Sequence, residues 1–422
     1  MKILMVGGGG REHVLIRKIR ENPRVETVYA LPGNGGIAGE AICVPIAATD
    51  IEKIVAFAVE QAIDFAVVAP DDPLVLGAAD ALRAAGIKTF GPSRAAAAIE
   101  GSKAFAKGLM RKYSIPTAEW AVFEDQASAL AYAHKQQLPL VIKADGLALG
   151  KGVVIAEDWE TVEQTIGEML SGRAFGESGR RIVIEECLTG PEVTVLAFTD
   201  GKTLIPMVSS MDHKRALDGD KGLNTGGMGV IAPNPFYTDE IAARCYDEIF
   251  LPTMNAMNAE GRPFKGCLYF GLMLTPNGAK VIEYNCRFGD PEAQTVLSLL
   301  QSDLLTIFEA VEAEALTADM VRFAPGAACC VMVVSGGYPG NYQKGLPVAL
   351  AGCPEGVSFF HSGTGIQGDQ LVTSGGRVLG VVAVGDELQE AIKLAYQTAP
   401  GVRFDGAFYR QDIGQKALEA NK

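Results

Sequence analysis

The first hundred residues alternate between two hydrophobic periods. Ile3–Val6 is a short apolar run, broken by the glycines Gly7–Gly10. Arg11 to Glu21 places its apolar residues at helical spacing and stops at Asn22-Pro23. Val25–Leu31 reads as a second strand. Ile51, Ile54, Val55 and Ala58 then repeat with the period of a helix, and Thr49-x-x-Glu52 is its expected capping box. Ile63–Ala69 is almost continuously apolar, as in a strand buried on both faces. This strand–helix–strand rhythm predicts a parallel sheet.

A second block opens at Ser102, the expected N-cap of a helix over Lys103–Tyr113. The pattern then predicts a helix over Asp125–Gln137, a strand at Leu140–Lys143, a glycine-rich loop at Gly146–Gly152, and strands at Val153–Ala156, Ile182–Glu186 and Val193–Phe198. Met211–Gly229 is long and polar, with no strand or helix period. Ala324-Pro325-Gly326 marks a boundary. Beyond it, strands at Cys329–Val334 and Val378–Val384 and an amphipathic helix from Glu387 predict a small α+β unit. The expected architecture is α/β, with an N-terminal parallel-sheet α/β domain at 1–101, a middle domain at 102–324 and a C-terminal α+β domain at 325–422.

Composition narrows the function classes. A net charge of −13 argues against tight non-specific binding to nucleic acid, so any anionic substrate must be held by local clusters of Lys, Arg and backbone N–H groups. The eight cysteines form no C-x-x-C pair, and Cys329-Cys330 lie within an apolar run as expected of buried small hydrophobes. No apolar run is long enough to span a bilayer. The N-terminus reads as a strand rather than a signal peptide, so a cytoplasmic location is expected.

The candidate chemistry begins with Glu283-Tyr284-Asn285-Cys286-Arg287-Phe288-Gly289-Asp290-Pro291-Glu292. It follows the strand-like run Lys280-Val281-Ile282, and side chains two apart on a strand share a face. Glu283, Asn285 and Arg287 therefore line up, suited to holding a hard divalent cation by oxygen and neutralising phosphate beside it. Asp290-Pro291-Glu292 reads as a helix start, with Asp290 as N-cap. Lys103, Lys143 and the loop through Gly150, Lys151 and Gly152 could close over a triphosphate, although no Walker A spacing is present. Glu185, Glu186, Leu188 and Glu192 lie at a bend between two strands, where backbone groups could meet an adenine edge and a carboxylate could take ribose hydroxyls. Asp212-His213-Lys214-Arg215 and Asn224-Thr225-Gly226-Gly227-Met228-Gly229 bracket a polar loop suited to a charged substrate or a transferring phosphoryl group. At the N-terminus, Gly8, Gly9, Gly10 and Arg11 suit a phosphate at a helix start. The dinucleotide fingerprint fails there, because its last glycine would fall on Glu12 or His13.

The order of these motifs resembles the ATP-grasp ligases. Within them, Gly8–His13, Gly101–Phe105, Lys143–Ala148, Asp212–Arg215, Asn224–Gly229 and Arg287–Glu292 resemble the phosphoribosylamine–glycine ligases over nearly the whole chain. The resemblance implies an ATP-grasp core with a mobile lid at about 116–186. It also implies ATP as co-substrate and Mg²⁺ or Mn²⁺ as the metal. The activity it implies joins glycine to 5-phosphoribosylamine through a glycyl phosphate, giving glycinamide ribonucleotide, ADP and phosphate in purine synthesis. On the family pattern Lys103 and Lys143 contact ATP phosphates, Glu185 and Leu188 sit at adenine, Glu192 at ribose, and Glu283 and Asn285 at the metal.

Arg287 is then expected to stabilise the reacting phosphoryl group. Lys214 belongs to the catalytic set with it, and Asp290 or substrate phosphate accepts the amine proton. Gly8, Gly9, Gly10, Arg11, Glu12, Asp71, Asp212, Arg215, Asn224, Gly226, Gly227 and Met228 form the expected substrate set. Family members often carry Asn in place of Gly8 and Glu in place of Asp71. The expected partners are small molecules only, with the chain a monomer or weak homo-oligomer. Another ATP-grasp ligase, a dinucleotide-dependent oxidoreductase and an ATP-sensing protein are the competing readings.

Overall fold

The computed structural model describes residues 1–147, 152–172 and 179–420. The N-terminal sheet has the spatial order Ile42–Cys43, Thr27–Pro32, Lys2–Gly7, Phe65–Val68, Lys88–Phe90. All its pairings are parallel, and Met5 sits between Ala30 and Val67. Phe65–Val68 is buried throughout, as its unbroken apolar run predicts. The helix Gly10–Arg20 leaves the end of the first strand through the glycine turn. The next helix, Ile51–Glu60, is capped by Asp50, which accepts from the Lys53 N–H at 3.3 Å. The cap therefore lies one residue beyond the expected Thr49.

A small antiparallel sheet has the order Trp120–Phe123, Ile182–Glu186, Leu140–Ala144, Val153–Ala156. The helices Gln126–Ala133 and Trp159–Leu170 cover it and form a separate hydrophobic core with it. Because that core is its own, this unit is a small body joined to the rest by few apolar contacts. Asp125 caps the first of these helices through the Ser128 N–H, which ends nearer than the expected Gln137.

The central antiparallel sheet runs Leu204–Pro206, Glu192–Thr199, Gly266–Thr275, Gly278–Asn285. A register shift at Gly271 and Leu272 lies opposite Glu283, which turns the end of the last strand toward the site. That strand stops at Asn285, so Arg287 stands on the connection after it.

The fourth sheet has the order Met211–Asp212, Gly229–Ala232, Ala327–Val334, Arg377–Gly385, Val357–His361, under the helix Leu388–Thr398. Two of its strands precede residue 324 and three follow it, so the sheet is built across the expected boundary. Cys329 and Cys330 are fully buried in it. Between its first two strands, Arg215–Leu217 and Lys221–Asn224 form a hairpin. About half of the segment expected as a polar loop is therefore strand. Its alternation is too polar to signal this; local pairing orders the hairpin, and pairing of Met211–Asp212 with Gly229–Ala232 orders the ends.

The helix after Arg287 also differs from expectation. It spans Glu292–Val296, with Pro291 at the N-cap position and no side-chain cap. Asp290 does not cap it; its carboxylate accepts from Gln294 Nε2 at 2.8 Å. No helix among the described residues is long and apolar enough to cross a membrane.

Candidate active site

A cavity of about 880 Å³ opens between the small covering sheet, the central sheet and the hairpin. Its wall includes Lys103, Lys143, Gly152, Glu185, Glu186, Leu188, Glu192, Asp212, Lys214, Arg215, Asn224, Gly226, Glu283, Asn285, Arg287 and Asp290, with Arg11 and Asp71 at one end. Gly150 and Lys151 lie outside the described residues.

On the covering sheet, Val141 pairs with Glu185, and Lys143 lies two residues further along the same face. Lys143 Nζ donates to the Ile282 carbonyl at 2.9 Å and lies 3.0 Å from Glu185 Oε1. Lys107 Nζ meets the other Glu185 oxygen at 2.8 Å. Glu185 is 3% exposed, so this carboxylate is buried between two ammonium groups. Burial pushes the Lys107 pKa down to about 8, against the pull of Glu185. Lys103 begins the helix Lys103–Lys112 under its Ser102 cap and donates to the Gly146 carbonyl at 2.9 Å. Burial and the neighbouring Lys143 lower its pKa. Ser102 Oγ and the Ala104 N–H both donate to Asp145, at 3.0 and 2.7 Å, which ties this helix to the start of the glycine-rich loop.

Glu283 and Asn285 share one face of their strand and both reach the cavity. The Glu283 side chain is only partly exposed, which works against its charge, but Lys214 and Lys143 hold its pKa below the usual carboxylate range. Among the described residues, Asn285 Oδ1 accepts only from Arg287 Nη2, at 3.3 Å. An ionised carboxylate and a lightly engaged amide oxygen fit a hard cation whose other ligands are phosphate and water. Among the described residues no group of three or more acidic, His or Cys side chains could hold a metal unaided.

Arg287 lies 3.0 Å from Glu100 and 3.7 Å from Asp71, and its Nη1 donates to the Phe288 carbonyl at 3.2 Å. Burial disfavours its charge, yet Glu100 and Asp71 hold its pKa above the ordinary value. Its Nε is buried without a partner among the described residues. Glu100 also accepts the Cys286 N–H at 2.7 Å, so it fixes both the connection and the guanidinium.

Lys214 Nζ lies 3.3 Å from Glu192 and 3.3 Å from Glu283. Burial opposes its charge, but these carboxylates raise its pKa, so it acts as a fixed cation and not as a base. Burial and the proximity of Glu292 raise the Asp212 pKa, and its Oδ1 has no partner. Burial works against the Asp290 charge, but Arg377 and Arg11 hold its pKa below the usual carboxylate range. Arg215 pairs in register with Asn224 across the hairpin.

Several expected substrate residues do other work. Met228 is fully buried in the hydrophobic core; its N–H donates to the His213 carbonyl and its carbonyl accepts from the Met332 N–H. It is not part of the cavity wall. The Gly9 N–H is taken by the Glu12 carboxylate at 2.5 Å, which removes it as an anion donor. Glu12 is itself paired with Arg11 at 2.6 Å and stands behind the cavity wall. Gly8 and Gly10 are needed for close packing, because a Cβ would lie 2.3 Å from the Gly33 carbonyl oxygen and 2.4 Å from Gln294 Nε2. Gly227 has φ +111°, and a Cβ there would lie 2.6 Å from Pro291.

Further charged residues of the cavity wall were not singled out as site residues, among them Glu100, Lys107, Glu292 and Arg377. Lys107 stands one helical turn after Lys103, a spacing that places both on one face. Glu292 belongs to the motif already identified. Nothing near Arg377 in the sequence signals a site.

Comparison with known proteins agrees with this geometry. Residues 1–100, 101–293 and 328–416 match the families described as the N, ATP-grasp (A) and C domains of phosphoribosylglycinamide synthetase. The phosphoribosylamine–glycine ligase of Vibrio cholerae is 47% identical over 99% of this chain and 99% of its own length. The Clostridium acetobutylicum ligase is 45% identical over 98% of this chain and all of its own. The crystal structure of phosphoribosylamine–glycine ligase from Thermotoga maritima superposes with a TM-score of 0.84 at 32% identity, covering 98% of this chain and 100% of that one. A biotin carboxylase from Campylobacter jejuni shares the fold alone, at 16% identity and TM-score 0.77 over 97% of this chain and 92% of its own. With three successive family matches and relatives this similar over their whole length, the chain belongs to the phosphoribosylamine–glycine ligase family.

Proposed function

We propose that this chain is the ATP-dependent ligase that joins glycine to 5-phosphoribosylamine. In the first step a glycine carboxylate oxygen attacks the γ-phosphorus of ATP, and ADP leaves. The amine of phosphoribosylamine then attacks the glycyl carbonyl. The acyl–oxygen bond breaks, phosphate departs, and the amine proton passes to that phosphate. No protein nucleophile is required, so the residues position the reactants and balance their charge.

The observation that carries this reading is the Lys143–Ile282 hydrogen bond of 2.9 Å, which brings the lid lysine onto the strand that bears Glu283 and Asn285. Lys103 and Lys143 hold the ATP phosphates in this reading, and Glu192 takes the ribose. Glu283 and Asn285 would hold a divalent cation, Mg²⁺ or Mn²⁺, which would supply neutralisation of phosphate charge. Arg287, oriented by Glu100 and Asp71, receives the charge that builds on the transferring group. Arg11 and Asp71 lie at the phosphoribosylamine end. The proposed partners are small molecules, with the chain acting as a monomer or weak homo-oligomer.

The test is phosphate release from Mg-ATP with glycine and with phosphoribosylamine generated in situ, separately and together. Release only with both, matched by glycinamide ribonucleotide, is the expected result. Release with a different carboxylate or amine would overturn the substrate assignment.

A further inference from the structure

Arg377 is the first residue of the strand Arg377–Gly385, far in sequence from every motif of the site. Its side chain crosses to two separate active-site loops. Nη1 donates to the Asp290 carbonyl at 2.6 Å and to the Gly226 carbonyl, and reaches the Gly227 carbonyl at 3.5 Å. Nη2 lies 3.4 Å from Asp290 Oδ1. The same C-terminal unit holds the other side of Gly226, whose N–H donates to the Tyr338 hydroxyl at 3.1 Å. Tyr338 is in turn seated on Gly376, where a Cβ would lie 2.2 Å from its ring.

A planar fork with several donors can grip two loops at once, which a point-charge ammonium cannot. The Gly226–Gly227 turn leans on Pro291 and Asp212, as the space denied to a Gly227 Cβ shows. Asp290 faces Gly9, where a Cβ would lie 3.1 Å from Oδ2. The guanidinium therefore stands where the N-terminal glycine turn, the Gly226–Gly227 turn, the Asp290 loop and the C-terminal sheet meet. We infer that Arg377, supported by Tyr338, is a positioning residue for the acceptor half of the reaction, aligning the Gly226–Gly227 turn and the Asp290 loop for the incoming amine. It acts through those loops and leaves the ATP end, with Lys103 and Lys143, untouched. This inference rests on the ligase reading of the cavity.

The experiment compares wild type, Arg377→Ala, Arg377→Lys and Tyr338→Phe in the coupled assay, with nucleotide affinity measured separately by titration with ADP. Arg377→Ala should lose roughly 10²-fold in kcat/KM for phosphoribosylamine, with ADP affinity unchanged. Arg377→Lys should fail to restore it, added guanidinium should restore part of it, and Tyr338→Phe should show a smaller loss in the same parameter. If Arg377→Ala does not fold, Arg377→Lys and Tyr338→Phe decide. Equal losses for ATP and phosphoribosylamine, or phosphoribosylamine parameters within twofold of wild type, would overturn the inference. Absence of glycine-dependent turnover in wild type would instead remove the functional reading itself.

Discussion

Lys214 Nζ lies 3.3 Å from Glu283 Oε1, so a lysine from the strand region before the hairpin neutralises the carboxylate at the end of the central sheet. The pair keeps Glu283 ionised without enclosing it, since its side chain remains 38% exposed. That combination leaves an oxygen free for a cation. Glu283→Gln keeps the shape and removes the charge. We expect the Mg²⁺ activation curve to move to higher concentration by about tenfold or more. A metal titration of the purified variant checks this, and an unchanged midpoint would take Glu283 out of the metal site.

Arg287 is expected to matter to turnover and to stability for one reason, its contact with Glu100. Arg287→Ala should reduce kcat by at least roughly 10²-fold while sparing nucleotide affinity. It also leaves a buried carboxylate unpaired, so the folded state should lose about 3 kcal/mol. Steady-state kinetics and a urea melt on the same preparation test both. Turnover equal to wild type would end the catalytic role.

Arg11 is buried against Glu12 and donates to the Phe288 carbonyl at 3.1 Å, at the end of the cavity away from Lys143. Arg11→Ala should raise the apparent KM for phosphoribosylamine by about tenfold, leaving that for ATP in place. A rise confined to ATP would show that this end of the cavity belongs to the nucleotide.

His213 and His361 are both buried as neutral rings, with burial the leading cause of a pKa near about 4 in each. His213 Nε2 accepts the Gly414 N–H at 3.1 Å, so Nδ1 carries the proton toward the Gly229 carbonyl. The unfolded rings protonate near pH 6.5 and the folded ones only near pH 4. Between those values the unfolded state binds more protons, so stability is full above pH 6.5 and falls as pH drops toward 4. Each ring should cost about 2 kcal/mol between pH 6.5 and 5. Melting curves at pH 7 and 5 should show a smaller loss in His213→Gln than in wild type, even if that variant starts lower.

Much of the site was legible because short motifs keep their members within one strand or one turn. Glu283 and Asn285 share a strand face, and Ser102 caps the helix of Lys103, as local spacing dictates. Lys143 and Glu185 come from different predicted strands, and only their pairing in one sheet brings them to 3.0 Å. The polar segment from Met211 to Gly229 misled because its short paired strands carry no alternation of their own. Asp290 misled because a Pro after an acid suggests a cap, whereas tertiary contacts with Gln294 and Arg377 claimed its carboxylate.

By itself the sequence determined the α/β rhythm, the family motifs and the residue types on the cavity wall, since these depend on periodicity and on chemistry carried within a few consecutive positions. Only the tertiary structure decided which charges face each other. Glu100 holds Arg287, Lys107 shares Glu185 with Lys143, and Arg377 joins two loops from the far end of the chain. Electrostatic pairing acts over a few ångströms of space, and the separation of these partners along the chain carries no trace of it.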